Sequence, residues 1–154
     1  MASGQSLLHK IALPYRIFFL YVEPVLALGG TYLCIADPQR FLLGTVPLPA
    51  WIMASPLDIS PIMQLLLTNI GALYALFAMN EAIVLRCTRE KSVWYAIVGG
   101  MLASDIGHIY AVYAVAPERV TQFVSWSSDE WINYGTLLGG ALLRLAFLLG
   151  VGNQ

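Results

Sequence analysis

A chain of 154 residues with 58% hydrophobic side chains, only 11% charged and a mean hydropathy of +0.71 falls far from the roughly 25% charged residues of soluble domains, which excludes a water-soluble globule. At about 20 apolar residues per bilayer crossing, this length admits at most about five or six spans and no separate soluble domain. A net charge of −1 offers no basic patch for phosphate backbones, so no nucleic acid partner is expected.

Taken in chain order, Ile11 to Ala36 is apolar apart from Arg16 and Glu23, starts near Pro14 and ends at Asp37-Pro38, which predicts a span at 13–36. Glu23-Pro24 interrupts the apolar run that a cleaved signal peptide needs, so the helix is read as retained. Pro24 has no N–H and clashes with the carbonyl of residue 20, which predicts a kink. The segment 37–60 holds Pro38, Pro47, Pro49, Pro56 and Trp51, the composition of an ordered, partly interfacial lid. Ile59 to Asn80 is a run of 22 uncharged residues and predicts the second span, 61–86. Arg86, Arg89, Glu90 and Lys91 read as a solvated turn.

Val93 to Val115 carries only Asp105 and His108 as ionisable groups and stops at Pro117, giving span 92–115, and Trp131 to Val151 carries only Arg144, giving span 131–151. The expected fold is an all-α integral membrane protein, a four-transmembrane-helix bundle forming a single domain over 1–154. Lys10, Arg16, Arg86, Arg89 and Lys91 share the side of the termini against Arg40 and Arg119 opposite, which predicts cytoplasmic termini. Trp94, Trp126 and Trp131 sit near span ends, where aromatic belts form. The pairs Gly29-Gly30, Gly99-Gly100 and Gly139-Gly140 read as helix-packing positions. Cys34 and Cys87 form no CxxC motif and read as free thiols. Two histidines are too few for a four-span b-type cytochrome, and no cofactor is expected.

An ionisable side chain at the bilayer centre costs roughly 2.5 to 3.5 kcal/mol and normally faces a partnered interior. Here every span contributes one: Glu23, Glu81, Asp105 with His108, and Arg144. Asp105 and His108, three residues apart, share a helical face, where an acid and a base in an apolar wall suit proton transfer as well as a plain interhelical hydrogen bond. Asn69 and Asn80 differ by eleven and form a stripe with Leu73 and Leu76, with Glu81 beside it. Asn133 and Arg144 also differ by eleven, with Leu137 and Gly140 between them. By depth, Glu81, Arg144 and Glu23 are expected to meet in the cytoplasmic third, either as a structural ion pair or as pocket residues. Asp105 is expected near Asn69 at the midplane, so that a polar cavity runs from the cytoplasmic third to the middle. One histidine with hard carboxylates gives no metal-ligand pattern.

Tyr15-Arg16-Ile17-Phe18-Phe19 running to Glu23-Pro24, Phe77-Ala78-Met79-Asn80-Glu81-Ala82, Ser104-Asp105-Ile106-Gly107-His108-Ile109-Tyr110 and Arg144-Leu145-Ala146-Phe147-Leu148-Leu149-Gly150, with Trp131 and Asn133, resemble a family of small four-span fungal membrane proteins that carries an uncharacterised-domain label. The resemblance implies an accessory role in secondary-metabolite biosynthesis, with a lipophilic intermediate as ligand. A more distant, architectural likeness is to membrane sterol isomerases and fungal terpenoid cyclases, which use buried carboxylates as acids.

The expected function is a cofactor-independent cyclase or isomerase working by acid/base chemistry on a terpenoid or polyketide intermediate in the endoplasmic reticulum membrane. Asp105, His108 and Glu81 would be catalytic, and Glu23, Asn69, Asn80 and Arg144 would bind substrate, with Arg144 neutralising a carboxylate or enolate. The alternative is a non-catalytic membrane subunit that binds or transfers the intermediate or docks pathway enzymes. A proton-coupled transporter is a third reading, without the broken-helix pair that marks an ion path.

Overall fold

The computed structural model describes residues 11–46 and 59–152, and among them there is no strand. Four helices are long and apolar enough to cross a membrane: α1 (Leu13–Ala36), α3 (Pro61–Cys87), α4 (Lys91–Val115) and α6 (Ser128–Leu148). Between them lie the short helices α2 (Pro38–Thr45) and α5 (Pro117–Thr121). The protein is thus an all-α, four-helix integral membrane bundle, and its spans follow the sequence reading within three residues at every end.

Those ends have local causes. The Ser60 hydroxyl accepts from the Met63 N–H at 3.2 Å, with Pro61 in the first turn of α3. Helix α6 begins three residues earlier than its apolar run because Ser127 and Glu130 form a reciprocal capping box. It stops before 151 because Gly150 adopts φ +77°, and the Val151 N–H then reaches back to the Ala146 carbonyl at 3.0 Å, a glycine-dependent helix stop. The Tyr15 hydroxyl donates to the Val151 carbonyl at 2.9 Å, tying this end to α1.

Pro24 does not break α1. The helix runs through it by way of a π turn over Phe18–Val22, and two further π turns occupy Asn80–Val84 in α3 and Trp131–Gly135 in α6. The first two lie against each other. Such one-residue expansions rotate everything beyond them around the helix and concentrate at functional sites.

The bundle is built from two pairs, α1 on α3 and α4 on α6. Close approach in the first pair depends on small residues: Thr31 Oγ1 donates to the Gly71 carbonyl at 3.0 Å, and a Cβ added to Gly71 would lie 3.2 Å from Cys34 Cβ. All four helices meet at the end nearest the termini, in a core of Tyr15, Phe19, Leu85, Trp94, Val98 and Phe147. Phe147 is fully buried, with ring centroids of Tyr15, Phe19, Trp94 and Tyr95 between 5.3 and 5.9 Å away. Towards the opposite end the pairs diverge. There α2 packs against both α1 and the start of α6, and is held by Asn133 Nδ2 donating to the Gly44 carbonyl at 3.0 Å and the Tyr134 hydroxyl donating to the Thr45 carbonyl at 2.7 Å.

Polarity is inverted relative to a soluble protein. Val25, Leu28, Ile62, Leu65, Leu142 and Leu149 are exposed, whereas Glu81, Asp105 and Arg144 are buried. This is the distribution that a hydrocarbon solvent demands.

Candidate functional site in the cleft between the helix pairs

The diverging pairs enclose a cavity of about 710 Å³ lined by all four spans and by α2, within the usual range for small-molecule sites. Its inner end, with Phe18 and Arg144, lies towards the aromatic core, and its outer end lies against α2. Most of its wall is apolar, including Phe18, Leu33, Phe77, Met101 and Leu137, while Glu23, Asp105 and Arg144 gather at one end and Arg40 and Asp129 belong to the other.

Arg144 organises that end. Its Nη1 donates to Asp105 Oδ2 and its Nη2 to Glu23 Oε1, so one guanidinium bridges carboxylates from two other helices. Helical side chains lean towards their own N-terminus, and Arg144 accordingly lies back over Gly140, where an added Cβ would sit 2.9 Å from Nη1. That lean lifts the charge from the terminal third of α6 to the level of Asp105. The expected three-way meeting of Arg144 with Glu81 and Glu23 is therefore corrected: Asp105 takes the place of Glu81.

Glu81 is fully buried in the π turn of α3, and neither of its carboxyl oxygens has a hydrogen-bond partner among the described residues. It stands behind the cavity rather than in its wall. Asp105 and His108 share the cavity face of α4 as expected, but the carboxylate bonds to Arg144 and not to the imidazole. His108 instead lies nearly parallel to Tyr74, with centroids 6.3 Å apart and planes at 21°. Tyr74 is held on its other side by Gly30, where a Cβ would lie 3.0 Å from its ring, and meets Phe41 of α2 at 6.2 Å.

The asparagine stripe expected on α3 does not form part of the cavity wall. Asn69 is exposed, as are Leu73 and Leu76, and neither asparagine lines the cavity. Residues facing inward are Leu67, Gly71, Ala78, Glu81 and Leu85, and Tyr74 falls on the same line. On α6 the Asn133, Leu137, Gly140, Arg144 stripe does face inward. The expected lid is present in part as α2, which contributes Arg40, Phe41 and Thr45 to the wall; Pro47, Pro49, Trp51 and Pro56 lie outside the described residues.

Sequence reasoning missed Tyr74, Phe41, Arg40 and Asp129 as cavity residues. It also placed Arg86 in a solvated turn, whereas its Nη2 donates to the Leu20 carbonyl and its guanidinium sits 4.4 Å from the Tyr21 ring centre. Cys34 and Cys87 are free thiols. Among the described residues, no three His, Cys, Asp or Glu side chains are grouped to hold a metal ion.

No curated protein and no solved structure matches the chain. Residues 8–154 match the family described as a domain of unknown function, DUF7704, and since that match takes in almost the whole chain, all four spans and every residue of the cavity, the protein belongs to this family.

Proposed function

We propose that the protein is a membrane-embedded, cofactor-independent cyclase or isomerase that acts by acid/base chemistry on a lipophilic terpenoid or polyketide intermediate. The observation that carries this reading is the cavity itself: an apolar chamber between membrane helices, with ionisable groups at its inner end and an imidazole in its wall. His108 is half-buried in that wall and not engaged by Asp105, so it is the group best placed to move a proton to or from a bound molecule. Asp105 and Glu23, both held by Arg144, supply fixed negative charge beside a developing cation. A fungal secondary-metabolite setting, the endoplasmic reticulum and cytoplasmic termini complete the proposal; the first two rest on the resemblance and the last on the excess of Arg and Lys at the end of the bundle carrying the termini.

One observation favours a second reading. Arg144 engages both Asp105 and Glu23, so neither acid is held ready to give up a proton, as would suit a bundle that only binds or transfers the intermediate. Gene deletion with metabolite profiling, followed by complementation with His108→Gln and Asp105→Asn, separates the two. An enzyme leaves one discrete precursor accumulating in the deletion strain and in the His108→Gln strain at normal protein level. A uniform fall in product with no precursor, fully restored by both variants, sinks the catalytic reading.

A further inference from the structure

The inner end of the cavity holds two carboxylates and one guanidinium. Arg144 directs Nη1 to Asp105 and Nη2 to Glu23, and its Nε is buried. Asp105 Oδ1 makes no hydrogen bond among the described residues and Glu23 Oε2 is buried without one, as is Arg144 Nε on the donor side, so what is unbalanced here is charge, two carboxylates to one guanidinium. Glu81 adds a third unpartnered carboxyl behind them. The cavity's other charged residues, Arg40 and Asp129, are one of each sign and belong to α2 and the start of α6, at the outer end.

Buried charge without a counter-charge is unfavourable, and Asp105 Oδ1, which is not among the fully buried oxygens of this cluster, is the acceptor that a molecule in the cavity can reach. An anionic head would be set against two carboxylates whose one cation is already shared. A head bearing O–H or N–H can donate to the open Asp105 oxygen without adding negative charge. The geometry points to a lipophilic ligand whose inner end is a hydrogen-bond donor, a hydroxyl or an ammonium group, and not a carboxylate, sulfate or phosphate. This rests on the reading of the cavity as a site for a lipophilic molecule, and it makes Arg144 the internal counter-ion of the two acids rather than a clamp for a substrate anion.

The test uses the full chain in phosphatidylcholine nanodiscs and three radiolabelled probes of equal tail length, dodecylamine, dodecanol and dodecanoate, with partition into empty nanodiscs subtracted. Dodecylamine and dodecanol are expected to bind at least about tenfold more tightly than dodecanoate, and Glu23→Gln, which removes one surplus acid and leaves Arg144 bonded to Asp105, narrows that gap. Equal or tighter binding of dodecanoate by the wild-type chain overturns the inference and leaves the cavity reading standing. An unchanged gap in folded Glu23→Gln also overturns it. Retention of none of the probes above the empty nanodiscs overturns the cavity reading itself. Should Glu23→Gln not accumulate, the wild-type ranking of the three probes decides alone.

Discussion

The Arg86 guanidinium donates to the carbonyl of Leu20, the group one turn before Pro24 that loses its regular helical donor because proline has no N–H. A side chain from α3 thus completes the backbone of α1 inside the bundle. Arg86→Ala is expected to cost about 1 to 3 kcal/mol from the lost charged hydrogen bond and the contact with Tyr21, read as a lower melting temperature in detergent. Pro24→Ala restores a backbone donor, so Arg86→Ala should cost less in that background. Equal costs in the two backgrounds would show that Leu20 is not what Arg86 serves.

Arg144 and Glu81 should behave oppositely. Arg144→Ala leaves Glu23 and Asp105 facing each other without their cation, at roughly 3 to 5 kcal/mol, and should abolish accumulation of folded protein. Glu81→Met replaces a carboxyl that has no hydrogen-bond partner among the described residues by a flexible apolar side chain of similar size. Thermal unfolding in detergent should show it neutral or stabilised by up to about 2 kcal/mol. A loss of stability comparable to that of Arg144→Ala would restore Glu81 as a partner in the ion cluster.

Gly139 and Gly140 look alike in sequence and should part company on substitution. Gly140→Ala places a methyl 2.9 Å from Arg144 Nη1 and 3.6 Å from the Phe18 ring, whereas nothing lies within 4 Å of a Cβ at Gly139. With Arg144 pinned by two carboxylates, Gly140→Ala is expected to cost about 1 to 3 kcal/mol, and Gly139→Ala less than about 0.5 kcal/mol. Melting temperatures of the two purified variants check this directly.

Orientation is open to a chemical test. A glycosylation acceptor inserted between Val46 and Ile59 should be modified in a lumenal compartment, while acceptors at either terminus stay unmodified. Glycosylation of a terminus reverses the assignment of sides.

Spans and the buried charges Glu81, Asp105 and Arg144 are legible because hydropathy and helix length act locally: a charge in an apolar run stands out however the helices pack, whereas Glu130, buried by its capping box, lies outside such a run and does not. Which charges meet is not legible. The spacing of Asn69 and Asn80 does not say which way either faces, because that depends on how α3 rolls against α1. Phasing the helix on Glu81 and Gly71 would have brought Tyr74 inward. Arg144 was misplaced because its Cα depth was used without the lean and reach of its side chain. The π turn ahead of Pro24, and the Arg86 contact it calls for, arise from two distant helices and leave only the proline as a trace.

Because the helix pairs are joined firmly at one end and only bridged by α2 at the other, the chamber has no complete side wall. Val25, Tyr32 and Ile132 belong both to its lining and to the exposed surface of the spans, so its flank opens directly onto lipid. A molecule held there need not fit inside. Under the proposed function its tail would trail into the acyl chains while its head is gripped, so that discrimination is expected to act on the head and the first few carbons, with homologues differing only in tail length treated alike.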